Sequence, residues 1–258
     1  GKINQQQWVC GTQGIRPMNF WDASLAAIYE LRSYLPAFIK LRVVADAYFS
    51  KVPFIVGLRA KCIHLISRLR KNAKGWDQLI AQTQKRGPGR PRKKGKEWKL
   101  AELVKYLPTE TIDAWLYGKI VSLQVVVRDV YLRDYTELVR VVVIQTATTP
   151  LLLVSTDLSL SAKQIIEIYG SRFSIELSIR DLKQHFGFGD YQCHSTLAFF
   201  RFVTLSCISY GIWMLTLLKN QDAFLQEASS ARFHSESPLS FWRLKRAFKR
   251  FVCKQIIF

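Results

Sequence analysis

Apolar side chains first recur at helical spacing. Leu25, Ile28, Tyr29, Leu31 and Leu35 share one face, which predicts a helix over residues 22–35 with Asp22 at its N-cap. The next run is contiguous instead. Leu41, Val43, Val44 and Ala45 end at Asp46, the pattern of a short buried strand with a carboxylate at its C-terminal end. Residues 52–58, around Pro53, predict a short helix, and residues 62–69 a second strand. Strand, helix and strand in that order predict an α/β core with parallel pairing.

Three runs rich in β-branched residues follow, at 120–127, 138–144 and 151–154. Asp129, Arg133, Asp134 and Tyr135 separate the first two, so a hairpin or meander is expected. Ser161, with Gln164 three positions later, forms a capping box that opens a helix running to about His185, where Gly187 and Gly189 end it. Helices are also expected over 197–218 and 241–253. The first contains 17 residues without charge, 202–218, at the short limit for a membrane span. Thr204, Ser206, Ser209, Tyr210 and Gly211 interrupt its apolarity, which favours a buried core helix over a membrane segment. The second is basic and amphipathic, with Arg243, Lys245, Arg246, Lys249 and Arg250.

Composition changes this picture in one respect. The chain is 49% hydrophobic and 22% charged, ordinary for a globular protein of 258 residues. Its charge is not ordinary: 38 Lys and Arg against 19 Asp and Glu give +19. That excess points to a polyanionic partner, either nucleic acid or an acidic membrane surface. Five scattered cysteines without a C-x-x-C pair argue against a disulfide framework or a zinc knuckle, and a reducing cytosol fits them.

The charge concentrates at residues 85–99. Lys85, Arg86, Arg90, Arg92, Lys93, Lys94, Lys96 and Lys99 face only Glu97, between Gly87, Pro88, Gly89, Pro91 and Gly95. Two readings stand side by side: a basic loop that grips phosphates, with Gly89-Arg90-Pro91 shaped like a minor-groove hook, or a solvated linker.

A second concentration of chemistry lies on the helix after Ser161. Tyr169, Arg172, Glu176 and Lys183 fall within a ~60° stripe of that one helix. Ile168, Ile175, Ile179, Leu182 and Phe186 form a neighbouring stripe expected to face the core. Geometry leaves two readings open, a functional ridge or a surface ridge with an Arg172–Glu176 ion pair worth a few tenths of a kcal/mol.

Here the string Y-G-S-R-F-S-I-E-L-S-I-R-D-L-K, from Tyr169 to Lys183, resembles the Y-R-E-K signature of DDE transposases of bacterial insertion sequences, of the kind called insertion-sequence family four. All four signature residues stand at the family spacing. Upstream, V-V-A-D-A-Y-F-S-K, from Val43 to Lys51, resembles the strand carrying that family's second catalytic Asp, and G-R-P-R-K-K-G-K resembles the lead into its β-rich insertion.

The resemblance implies an RNase H-like core interrupted by a β-rich insertion and followed by C-terminal helices. The core would occupy 1–80 and 151–220, the basic loop and insertion 81–150, and a basic helical tail 221–258. It implies a DNA transposase that hydrolyses phosphodiesters and transfers strands at transposon ends, with Asp46 and Glu176 as catalytic metal ligands for Mg²⁺, or Mn²⁺ in its place. Tyr169, Arg172 and Lys183 would contact phosphates, together with Arg90, Arg92, Lys93 and Lys94 of the basic loop. The partners implied are double-stranded DNA, as terminal repeats and target, and further copies of the chain assembled on it. A cytoplasmic, nucleoid-associated protein without membrane attachment is expected. One departure stands out: no strand ending in Asp precedes Asp46, so the family's first catalytic Asp is expected before residue 1. The alternatives are a DNA-binding remnant that no longer cuts and, ranked below it, a basic membrane-associated protein using residues 202–218. Asp157 could offer a substitute carboxylate, but its place after a late strand suits a turn or cap.

Overall fold

The computed structural model describes residues 19–79, 94–192, 194–223 and 241–256. The chain divides into two compact units, with the division between Phe173 and Ser174.

In the first unit, helix α1 (Phe20–Tyr34) leads into strand β1 (Arg42–Ala45), helix α2 (Val52–Ala60) and strand β2 (His64–Arg68). The α1 cap differs from expectation. Asn19 is the N-cap, its side chain accepting from the Asp22 amide at 2.9 Å, and Asp22 lies in the first turn, where a carboxylate favours the helix dipole. Pro53 stands at the start of α2, where its missing N–H costs nothing. β1 and β2 pair in parallel, Val43 opposite Leu65 and Val44 opposite Ile66, as the strand–helix–strand order predicts.

The β-branched runs form β6 (Lys119–Leu132), β7 (Leu138–Ile144) and β8 (Leu151–Ser155), an antiparallel meander. β6 runs straight through Asp129, and its turn into β7 contains Asp134 at φ 59°. β8 pairs antiparallel with β2, so the meander continues the sheet that carries Asp46. The strand order is β1-β2-β8-β7-β6-β3-β4, with β3 at Lys74–Trp76 and β4 at Glu97–Lys99. After the short helix α3 (Leu103–Tyr106), β5 (Glu110–Leu116) adds to β6 through a two-residue turn, Tyr117 at φ 52° and Gly118 at φ 80°. Two consecutive positive φ values match the twist of a tight hairpin, and glycine takes the second without strain.

Both faces of the sheet are covered. Along β7, Val141 and Val143 join the core cluster of Phe54, Ile55 and Leu58 from α2, and Val142 and Ile144 join that of Ile165 and Ile166 from helix α4 (Ala162–Ser171). A strand buried on both sides reads as an unbroken apolar run, which is why 138–144 shows no alternation.

The helix opened by the Ser161–Gln164 capping box is not continuous to His185. It stops at Ser171 and resumes as α5 (Phe173–His185). The Ser171 hydroxyl donates to the Ile168 carbonyl at 2.7 Å, and the Arg172 amide bonds instead to Tyr169 O at 3.1 Å. A serine bonding back into the turn competes with the regular ladder. The single-wheel stripe therefore does not carry across Arg172.

In the second unit, α5 contributes no buried residue. Ile175 and Ile179, expected in the core, are exposed. Phe186 packs its ring against Tyr210 and Trp213 of α6 (Thr196–Lys219), and the Tyr210 hydroxyl donates to Ser178 Oγ at 3.1 Å. α6 also departs from expectation. Only Ser206 and Trp213 are buried on it, and Leu205, Ile208, Ile212 and Leu215 are at least half exposed. Its length and apolarity suffice to cross a membrane, by length and composition alone. Helix α7 (Phe241–Ile256) is the basic amphipathic helix expected near the end of the sequence.

Candidate functional site

Asp46 follows β1 directly, and its own backbone and side chain build the turn that ends the strand. Its Oδ1 accepts the Tyr48 amide at 2.9 Å, and its carbonyl accepts from the Phe49 amide at 3.2 Å and from Ser67 Oγ of β2 at 2.7 Å. This Asx-type turn fixes the carboxylate at the strand's C-terminal end, the usual place for functional groups in parallel α/β pairs. The Asp46 residue is exposed. A shelf of aromatic rings flanks the turn: Phe20 stands 5.8 Å and Trp21 5.4 Å from the Tyr48 ring.

Asp157 is the opposite kind of carboxylate. It is buried and answers two cations: Lys40 Nζ at 2.9 Å, and Arg42 through both Nε and an Nη at 2.9 Å. The Ser159 amide and hydroxyl donate to its Oδ1 at 3.1 and 2.6 Å. Burial alone would raise its pKa. The donors from Ser159, Lys40 and Arg42 outweigh burial and hold the carboxyl well below the usual carboxylate range. Every lone-pair direction has a structural claim on it, as the turn reading of Asp157 expects. Lys40, Arg42 and Ser159 were not visible as its partners in the sequence, because the two cations lie more than a hundred positions away.

Tyr169 is half-buried, packed against the Ile165 side of the core, and the Arg172 guanidinium lies 6.0 Å from its ring centroid. Within the first unit these two signature residues are brought together. Gly170 between them allows close packing: a Cβ there would come within 2.5 Å of Leu116 Cδ2 of β5. Glu167 ties the same helix to β5, accepting the Trp115 amide at 2.9 Å. Glu176 and Lys183 belong to the second unit, both exposed on α5.

Of the basic-loop residues, Arg90, Arg92 and Lys93 lie outside the described residues. Lys94 is described, and its ammonium is occupied by the fold. It donates to Leu132 O at 2.6 Å and lies 5.3 Å from the Trp76 ring and 5.8 Å from that of Tyr131. Next to it, Asp77 takes Arg128 at 2.7 and 2.8 Å and Trp98 Nε1 at 2.7 Å, while Lys96 lies 3.8 Å over the Trp98 ring. Burial opposes the Asp77 charge, and its bonds to Arg128 and Trp98 prevail, lowering its pKa. The Gly95 amide also donates to Asp77 O at 2.9 Å. Asp77 and Gly95, on either side of residues 80–93, are therefore joined by a built clasp.

Among the described residues no group of three His, Cys, Asp or Glu side chains stands together as a metal cage. The carboxylates of Asp46 and Glu176 nevertheless suit a hard cation: both are exposed, and Mg²⁺ takes oxygen ligands and keeps much of its water.

The model of the transposase DDE domain matches residues 26–212 of this chain. The chain belongs to the DDE transposase family. No curated protein matches it. The matched stretch of this transposase contains Asp46, Tyr169, Arg172, Glu176 and Lys183, together with the sheet that continues through the β-rich runs.

Proposed function

We propose that this transposase acts on the ends of an insertion sequence of family four type, binding duplex DNA and breaking and joining its phosphodiesters with Mg²⁺ or Mn²⁺. The exposed, turn-fixed carboxylate of Asp46 at the end of β1 carries this reading, within a chain of the DDE family. Asp46 and Glu176 would hold the metal. When bound, the ion stabilises charge on the attacking and leaving oxygens of an in-line displacement. Asp46 is held ready by the Tyr48 amide on one oxygen, while its exposure leaves the carboxylate open to solvent. Asp157 takes no part, since Lys40, Arg42 and Ser159 occupy it. Arg172, braced on Tyr169, and Lys183 grip phosphates of the transposon end. Arg90, Arg92 and Lys93 add contacts along the duplex from the clasped basic loop. The protein would work in the cytoplasm on nucleoid DNA, as more than one copy.

A second reading has its own support. The exposed cations of α7 and the +19 charge would serve a remnant that binds DNA without cutting it equally well. Incubating a terminal-repeat duplex with the protein and Mg²⁺ or Mn²⁺ separates the two. Nicks that disappear in Asp46→Asn and Glu176→Gln support the transposase chemistry. Retained DNA binding with no metal-dependent nick in the unmodified protein would leave the remnant, and overturn the catalytic reading.

A further inference from the structure

Helix α7 carries six cationic residues and no acidic one over 16 positions. At 1.5 Å per residue it is about 24 Å long, roughly one positive charge per 4 Å. None of the DDE site residues lies on it.

Two occupants could suit a basic amphipathic helix: an anionic membrane, which needs the apolar face free to insert, or a phosphate backbone, which needs only the basic face. Among the described residues, the middle of the apolar face of α7 is packed. Ala247 is 2% exposed, and Leu244 and Phe248 are half-buried. Lys245, Arg246, Lys249 and Arg250 are exposed. They form two i, i+4 rows with a repeat of about 6 Å. Arg246 and Arg250 also engage other groups of the protein, so the freest contribution comes from Lys245 and Lys249.

We infer that the basic face of α7 is a docking surface for the phosphate backbone of duplex DNA, read without regard to base sequence. The choice of DNA as the polyanion rests on the transposase reading; the choice of a backbone over a bilayer rests on the packing of Leu244, Ala247 and Phe248 beneath an exposed basic face. Duplex DNA presents one negative charge per ~1.7 Å, denser than the helix's cations, so Lys245 and Lys249 can each neutralise a phosphate and release counterions.

The test uses the full chain, a 30-base-pair duplex of arbitrary sequence and no divalent metal, with binding followed from about 50 to 200 mM salt. Lys245→Gln with Lys249→Gln should flatten the plot of log affinity against log salt by about 1.8, so that the loss over that range shrinks roughly tenfold. Lys245→Arg with Lys249→Arg should keep the original slope, and melting curves should show all variants folded. If the Gln pair fails to fold, the Arg pair together with each single Gln variant decides, each single change removing about half the effect. An unchanged slope overturns the inference. So does loss of binding to vesicles of phosphatidylcholine and phosphatidylserine with DNA affinity intact, which would make the surface a membrane contact. The nicking assay judges the transposase chemistry separately, since these duplexes carry no terminal repeat and no metal is present.

Discussion

Replacing Asp157 by Ala separates a structural carboxylate from a metal-binding one. The side chain is 3% exposed and holds Lys40 and Arg42, which are themselves 45% and 29% exposed. Removing one partner of a fully buried pair costs about 3–5 kcal/mol. Water reaches both cations here and recovers part of that, so about 2–4 kcal/mol is expected, including the bonds to Ser159. For a unit of this size each kcal/mol moves the melting temperature by roughly 2–4 °C, giving a fall of about 5–15 °C. Asp157→Asn leaves the Ser159 bonds in place and should cost less. The pH dependence has a definite sign. The fold favours the charged carboxylate, so its contribution is complete above the ordinary carboxylate pKa of about 3.9 and declines as pH falls below it. The stability gap between wild type and Asp157→Ala should therefore narrow in acid. Thermal melts at neutral pH and stepwise down to pH 3 read both effects. A melting temperature unchanged by Asp157→Ala, or a gap that widens in acid, would refute the reasoning.

Other perturbations follow from the same geometry. Lys94→Ala should lower the melting temperature, because its ammonium serves Leu132 O and the Trp76 and Tyr131 rings, whereas Arg90→Ala with Arg92→Ala and Lys93→Ala should leave the melt unchanged and flatten the salt slope of DNA binding by about 0.9 per phosphate no longer neutralised. Asp77→Ala should destabilise by about 1–3 kcal/mol in urea titration, since it strands the Arg128 guanidinium and the Trp98 indole N–H together. Gly170→Leu should cost about 1–3 kcal/mol by forcing α4 and β5 apart, and Leu116→Ala in the same chain should restore part of it. Arg172→Ala and Lys183→Ala should weaken binding to transposon-end DNA without moving Mn²⁺ uptake, the reverse of Glu176→Gln.

The sequence reported the first unit well where its signals were local. The β1–α2–β2 order, the meander and the Ser161–Gln164 cap each follow from a few adjacent residues. Other features were hidden for physical reasons. β5 alternates only weakly, and its real marker was the Tyr117-Gly118 turn. The break at Arg172 depends on the Ser171 hydroxyl reaching back to Ile168, which a helical wheel cannot show. The exposed faces of α5 and α6 carry the same residues a buried helix would, so apolar spacing alone placed Ile175, Ile179 and Leu205 inside. At the site, the Y-R-E-K spacing and the turn role of Asp157 were legible, while the ion pairs of Asp157 with Lys40 and Arg42 were not, because only the fold brings those cations to it.

The central claim is that Asp46 and Glu176 are the metal-binding carboxylates and Asp157 is not. Titration calorimetry with Mn²⁺ on wild type, Asp46→Asn, Glu176→Gln and Asp157→Asn tests it most directly. Uptake by wild type and by folded Asp157→Asn, abolished in Asp46→Asn and in Glu176→Gln, is the result expected. Equal Mn²⁺ uptake by wild type and Glu176→Gln, or loss confined to Asp157→Asn, would contradict it.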